Sequence, residues 1–347
     1  MSDDRDRVVW VRDDQRRKAA DNKATEFADL DVAVTPSNFR DLFLWHYDKI
    51  RELCQGYQHR GLVLIALSFR QLVATACLAA RPQTINTAIV GRHSEAQLFL
   101  DEDPSLSLRH LAVILHPLQA GSDVRFRLVD MRTQTGFVDE QGRRLEALEA
   151  EGPVFIGCGR YALFCITTDD DLPWPDDAQA GWACIPERVY LKEQPASPQR
   201  WLRRKLGAAL GRRQRSAGRR TMVQTLAGPS RARRNLLEQD EPRVGELQVV
   251  CEGQVSRIVV GRRAAQEGIL VGRYDRCDTD GLELLTEEGI SRVHLLLIEI
   301  ADRIYAVDVA STNGMFVGGE DLPVVPLDCD RVLVLGDDYA RLEWKAG

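Results

Sequence analysis

The apolar positions of this chain fall in short runs punctuated by Gly, Asp, Asn and Pro. Towards the C-terminus, Ile269 to Gly272 (ILVG) and His294 to Ile300 (HLLLIEI) are rich in branched residues and predict strands. Arg303 to Val309 (RIYAVDV) alternates, and Ala301-Asp302 joins it to the preceding run as a tight hairpin connection. RVLVLG and ARLEW repeat the pattern around Asp337-Asp338. One long stretch, SNFRDLFLWHYDKIRELCQGY, has helical spacing instead, with Phe39, Leu42, Phe43, Ile50, Leu53 and Cys54 on one side. Ser37 is its expected N-cap and Gly56 lies near its end. An apolar stripe of this width is expected to pack on the domain that follows.

Residues 58–170 read as a second, altered copy of the C-terminal unit. IVGRH, with Gly91-Arg92, parallels LVGRY, with Gly272-Arg273, and the two GR pairs lie 181 residues apart. SLRHLAVIL matches SRVHLLLIE, and RFRLVDMRTQTGFV matches RIYAVDVASTNGMFV, pairing Asp130 with Asp308 and Gly136 with Gly314. GPVFIG and YALFCITT match the closing strands RVLVLG and ARLEW. Self-similarity of this kind is the mark of a tandem duplication. The expected fold class is all-β: two β-sandwiches in tandem, an N-terminal helix, and a flexible Arg-rich linker between the sandwiches. The expected boundaries are 1–57 for a loose arm and the helix, 58–196 for the first sandwich, 197–244 for the linker and 245–347 for the second sandwich. Within 58–196, the acidic, Pro-containing stretch from Asp169 reads as an irregular connection, and VYLKEQ as a returning strand.

The polar motifs of the C-terminal unit, at GR, GISR and STNG, sit between strands. A sandwich brings such loops together at one end. Arg273, Ser291, Arg292, Thr312 and Asn313 would then share one rim. No lysine, cysteine or carboxylate is placed there for catalysis. Arginine forks with hydroxyl and backbone donors suit an anion, and phosphate fits them best.

These three motifs, in this order and spacing, resemble the forkhead-associated (FHA) domain. The resemblance implies a β-sandwich that binds phosphothreonine peptides with loops at one end. By motif match, Arg273 and Ser291 would contact the phosphate and Arg292 would add a second positive charge. Thr312 and Asn313 would hold the peptide backbone. His294 would brace the loops, Gly314 would permit a sharp turn, and Gly272 would let the strand edge lie close to its neighbour. The first copy departs from the pattern: Leu108 stands where the second has Arg292, and Gln134 and Thr135 where it has Thr312 and Asn313. Arg92 and Ser107 remain as a possible second phosphate site.

Composition adds one asymmetry. The net charge is −6, but from Ser197 to Arg234 there are 12 Lys and Arg and no Asp or Glu, which leaves 34 basic against 52 acidic residues elsewhere. Trp201, Leu202, Leu206, Ala209 and Leu210 fit one side of a short helix in this segment, and the rest is Gly-, Ser- and Arg-rich. It reads as a solvated linker, as a nucleic-acid or anionic-membrane contact through residues 200–234, or as a kinase substrate at Thr221 or Thr225. A phosphothreonine there would be a tethered ligand for the second sandwich, in its own chain or in another copy. The eight cysteines are scattered without metal-ligand spacing, and no metal or cofactor is expected. Reduced cysteines, no apolar signal core and no run of 18 apolar residues place the expectation in the cytoplasm. No nucleotide-binding loop, H-E-x-x-H or G-x-S-x-G is present, so an enzyme is not expected. The expected function is a phosphothreonine-binding adaptor in Ser/Thr kinase signalling. The alternatives are a phospho-independent docking scaffold, or nucleic-acid or membrane-surface binding through the basic segment.

Overall fold

The computed structural model describes residues 38–68, 71–168, 172–191, 220–229, 236–251, 253–279, 285, 289–327, 331–336 and 339–347. The expected arm, Ser37, the helix around Trp201, most of the basic segment and the Asp337-Asp338 turn lie outside the described residues.

The first sandwich is formed by β1 (Gly61–Leu67), β2 (Leu72–Ala79), β3 (Asn86–Gly91), β4 (Leu98–Phe99), β5 (Leu111–Leu115), β6 (Arg125–Asp130), β7 (Phe137–Val138), β8 (Arg144–Leu145), β9 (Ala147–Glu151), β10 (Val154–Cys158), β11 (Tyr161–Thr168), β12 (Glu187–Leu191) and β13 (Arg220–Leu226). One of its sheets has the order β2-β1-β11-β10-β7-β8 and the other β12-β13-β9-β6-β5-β3-β4. The second sandwich follows with β14 (Arg243–Cys251), β15 (Gln254–Gly261), β16 (Ile269–Val271), β17 (Leu295–Ile300), β18 (Arg303–Asp308), β19 (Met315–Val317), β20 (Glu320–Asp321), β21 (Val324–Pro326), β22 (Val332–Leu335) and β23 (Ala340–Ala346). Its sheets run β15-β14-β23-β22-β19-β20 and β16-β17-β18-β21.

The layers follow from the two-residue side-chain period of a strand. In β1, Leu62, Leu64 and Ala66 enter the core of the first sandwich, while Val63, Ile65 and Leu67 point the other way, under the helices. In β5, Leu111, Val113 and Leu115 face that same core, while Ala112 and Ile114 face outwards. In β17, Leu295 and Leu297 enter the core of the second sandwich, and Leu296, Ile298 and Ile300 face outwards. The outward faces of β5 and β17 meet each other. Ile89, Ala112, Ile114 and Val129 of the first sandwich share one buried cluster with Leu270, Leu296, Ile298, Tyr305 and Val307 of the second. The two sandwiches are therefore stacked sheet on sheet, and the continuous apolar runs LAVIL and LLLIEI are strands buried on both faces.

The tight connection after β17 is a two-residue turn, with Ala301 at φ 53° and Asp302 at φ 61°. Left-handed backbone at both positions is the geometry that matches the strand twist of a hairpin. The N-terminal helix packs on the first sandwich. It is divided at His46 into Phe39–Trp45 and Tyr47–Gly56, and its N-cap is Asn38, whose side chain accepts from Asp41 N at 3.0 Å. Phe43 contacts Trp174 and Trp182, which come from the stretch after Asp169. That stretch is more ordered than its composition suggests. Asp177 caps the helix Ala178–Cys184 by accepting from Ala180 N at 2.7 Å.

The basic linker is shorter than expected at its C-terminal end. Residues 220–226 form β13, parallel to β12 and antiparallel to β9. Thr221 is 1% exposed, and Thr225 donates its hydroxyl to Leu191 O at 3.0 Å. Alternation explains the placement: in RTMVQTL, Thr221 and Val223 point inwards while Met222 stays exposed. A kinase cannot reach the Thr221 hydroxyl in this strand, so the tethered-ligand expectation at Thr221 is corrected. Among the described residues, no helix is long and apolar enough to cross a membrane.

Candidate functional site

Three loops of the second sandwich converge at one end. The first follows β16, and its backbone continues the pairing with the segment before β17. Arg273 N donates to Ser291 O at 3.3 Å and Tyr274 N to Arg292 O at 3.0 Å. Any Cβ at Gly272 would collide with the Arg292 carbonyl, so only glycine permits this approach. The Thr279 hydroxyl closes the loop, accepting from Gly272 N at 3.1 Å and donating to Gly272 O at 2.9 Å.

This pairing sets Arg273 beside Ser291. The Arg273 side chain donates through Nε to Ile290 O at 2.8 Å. Its terminal nitrogens have no hydrogen-bond partner among the described residues, and it is exposed. Arg292 is likewise exposed, and its guanidinium makes no hydrogen bond or ion pair to any described residue. Arg273 is thus anchored through its inner nitrogen, and Arg292 is exposed next to Ser291 in sequence.

The third loop, between β18 and β19, is held by a carboxylate. Asp308 accepts from Ser311 N at 2.7 Å and from its hydroxyl at 2.5 Å, and Ser311 Oγ accepts from Gly314 N at 2.9 Å. The backbone kinks at Ala310, φ 59°, and again at Gly314, φ 74°. Ser291 and this loop are joined directly: Thr312 N donates to Ser291 Oγ at 3.0 Å, and the two hydroxyls lie 3.5 Å apart. Asn313 donates through Nδ2 to Gly289 O at 2.9 Å, which leaves its amide oxygen available on the rim.

His294 braces both loops from inside. Its Nδ1 accepts from Ser291 N at 3.1 Å, and its Nε2 donates to Gly314 O at 2.9 Å. Only the neutral imidazole with the proton on Nε2 makes both bonds. Burial lowers its pKa, opposed by the Gly314 carbonyl and the Asp308 charge.

The first sandwich repeats this frame bond for bond. His110 Nδ1 accepts from Ser107 N at 3.2 Å, and its Nε2 donates to Gly136 O at 2.8 Å. Asp130 accepts from Thr133 N at 3.0 Å, and Thr133 Oγ1 accepts from Gly136 N at 3.0 Å. Arg92 Nε donates to Leu106 O at 2.6 Å. Arg132, at φ 57°, occupies the kink that Ala310 makes in the second copy. Even Gln97 and Asp278 correspond, accepting from Ile89 N at 2.7 Å and Leu270 N at 2.8 Å. What the first copy lacks, among the described residues, includes the link from the serine to the third loop, the bond made by Asn313, and the Thr279 clasp on Gly272, where it has Leu98.

Sequence patterns alone missed the arginines that join the two units. Arg132 pairs with Asp278 at 2.6 Å, with side chains 3% and 0% exposed, and also donates to the carbonyls of Pro229 and Arg276. Arg109 donates through Nε to Val309 O at 2.7 Å and also to Ala310 O. Both stand where the second copy carries a small or apolar residue, Val293 and Ala310. That mismatch is the signal an internal alignment offers. No group of three or more His, Cys, Asp or Glu side chains among the described residues is placed to hold a metal.

Residues 269–336 match the family model of the FHA domain. No curated protein matches the chain. Among solved structures it is similar to the FHA-1 domain of Mycobacterium tuberculosis Rv1747, at 30% identity over 30% of this chain and 98% of that one, with a TM-score of 0.25. It is also similar to the FHA domain of CT664 from Chlamydia trachomatis, at 20% identity over 29% of this chain and 96% of that one, TM-score 0.25. A third is the yeast Dun1 FHA domain, solved with a doubly phosphorylated peptide derived from Rad53, at 22% identity over 33% of this chain and 82% of that one, TM-score 0.24.

Proposed function

The C-terminal sandwich is a forkhead-associated domain, and we propose that it makes this chain a phosphothreonine-binding adaptor for a protein modified by a Ser/Thr kinase. FHA domains are non-enzymatic modules that generally bind phosphothreonine peptides. The observation that carries the reading is the open rim. Arg273 is fixed through Nε and exposed, Arg292 is exposed with no side-chain partner among the described residues, and Ser291, Thr312 and Asn313 are tied to the neighbouring loop. A phosphate carries about −1.5 to −2 charge at neutral pH and three acceptor oxygens. Arginine meets it in bidentate geometry.

In this reading Arg273 and Ser291 bind the phosphate, and Arg292 supplies the second charge. Thr312 and the free oxygen of Asn313 bind the peptide backbone. Gly272, His294 and Gly314 hold the loops without touching ligand. Leu108, Gln134 and Thr135 replace the matching rim residues of the first copy, so in this reading Arg92 and Ser107 do not act as an equivalent second site. Fluorescence anisotropy with a degenerate phosphothreonine peptide library tests the reading. Binding is expected that disappears when the phosphate is removed and is lost in Arg273→Ala. Binding indifferent to both changes would establish phospho-independent docking instead. A steep loss of binding with added salt, abolished by deleting residues 200–234, would point to nucleic acid or an anionic membrane.

A further inference from the structure

The first copy has lost rim residues yet keeps an intact frame, and two of its arginines reach into the second copy. We infer that one of them, Arg109, is a positioning residue for the peptide-binding loop of the second sandwich. This rests on the phosphothreonine reading above.

Arg109 occupies the place that Val293 holds in the second copy. It is 9% exposed, and its guanidinium is turned away from its own sandwich. It donates to Val309 O at 2.7 Å and to Ala310 O at 3.1 Å, with a further bond from NH2 to Ala310 O. These two carbonyls immediately precede Ser311, Thr312, Asn313 and Gly314. Ala310 lies at φ 59°, a conformation that costs a residue with a Cβ. The kink aims the following turn at Ser291. Without a donor, both carbonyls would be buried and unpaired at the point where the chain is strained. Arg109 therefore closes the kink from behind while Asp308 and His294 close it from within.

Burial disfavours the guanidinium cation most, the Asp308 carboxylate favours it, and Arg292 disfavours it. The groups facing it from the second sandwich include the carboxylate that holds the loop, Arg292 and the bracing His294. On its own sandwich, His93 feels the Arg109 charge. A duplicated unit that merely docked could have kept an apolar residue here, as the second copy does with Val293. The arginine instead gives the first sandwich a share in shaping the site of the second.

The test uses the full chain with Arg109→Gln and Arg109→Lys, reading peptide affinity by anisotropy and the segment 309–314 by hydrogen–deuterium exchange. In Arg109→Gln, affinity for a phosphothreonine peptide is expected to fall about tenfold, roughly the loss of one charged hydrogen bond. Exchange at the Ser311 and Gly314 amides is expected to rise, while β14 and β23 stay as protected as before. Lysine can donate to both carbonyls, so Arg109→Lys is expected to restore most of the affinity. Unchanged affinity and unchanged exchange in Arg109→Gln would overturn the inference. So would a general rise in exchange across both sandwiches, shared by the lysine variant, which would make Arg109 an interface residue only. If the wild-type chain fails to bind any phosphothreonine peptide, the functional reading falls, and the exchange data still decide whether Arg109 braces the loop.

Discussion

The two sandwiches share one hydrogen-bond frame and differ in what their loop tips offer to solvent. In both, a buried histidine ties the serine loop to the glycine turn, and an aspartate ties the turn to itself. In the second copy the rim positions carry Arg292, Thr312 and Asn313. In the first they carry Leu108, Gln134 and Thr135, and the new arginines are buried against the neighbour. The frame is therefore common to both copies. Matching frame residues show shared architecture, and the two copies differ at the rim. The two copies thus place matched-loop arginines differently, with Arg292 of the second exposed and Arg109 and Arg132 of the first buried.

Breaking the joint between the copies should have the largest effect. Arg132→Met leaves the Asp278 carboxylate buried without its counter-ion, which typically costs about 3–5 kcal/mol. Urea unfolding should show the loss, and Asp278→Asn, which keeps an acceptor for Leu270 N, should lose less. If Arg132→Met unfolds at the wild-type midpoint, the sandwiches are not held together in this way.

The next contrast sets the rims against each other. Arg273→Ala is expected to weaken phosphothreonine-peptide binding about 100-fold, roughly 2.7 kcal/mol, while Arg92→Ala leaves it within about twofold. Isothermal titration would read both affinity and stoichiometry, and one peptide per chain is expected. A stoichiometry of two, with one step sensitive to Arg92, would restore the first copy as a binding unit.

Acidification separates the frame from the rim. Burial depresses the pKa of His110 to about 4, against the pull of the Gly136 carbonyl. A folded pKa below the unfolded value near 6.5 gives stability that is complete above 6.5 and is lost as pH falls towards 4. Between pH 7 and 5 that loss is about 2 kcal/mol for His110 alone. Asp130 works the opposite way, because burial raises its pKa to about 6 and folding then gains as it takes up a proton. Asp130 is common to the wild type and to His110→Gln. The stability deficit of that variant at pH 7 is therefore expected to shrink by about 2 kcal/mol at pH 5, measured by urea midpoints. A deficit constant with pH would mean that His110 is not held neutral.

The smallest effect concerns the rim's own preorganisation. Asn313→Ala removes the bond to Gly289 O and one acceptor for peptide, and affinity is expected to fall about fivefold to tenfold with little change in unfolding midpoint. Gln134→Ala in the first copy should change neither.

Much of this was legible in the linear chain. Period-two alternation in RIYAVDV and the apolar run LLLIEI marked strands, and three spaced motifs marked the rim. The repeat was visible because both copies need glycine where a Cβ would collide with a carbonyl and histidine where one ring must both accept and donate. Less legible were the elements whose stability comes from distant neighbours. Arg220–Leu226 sits in a basic, Gly- and Ser-containing context, yet it becomes a strand because β12 and β9 supply partners on both sides. The segment from 172 onwards is held because Trp174 stacks on Phe43 and Trp182 meets the same ring edge-on.

Local chemistry alone determined that this chain makes two sandwiches and that the second carries a cationic, hydroxyl-lined rim, because strand period, turn geometry and phosphate-binding residue types are short-range properties. The tertiary structure decided what covers the second face of β5 and β17 and where Arg109 and Arg132 send their guanidinium groups. A buried arginine and an exposed one are the same letter in a sequence. Which it becomes depends on whether a carboxylate or a strained carbonyl some 150 to 200 positions away is folded against it.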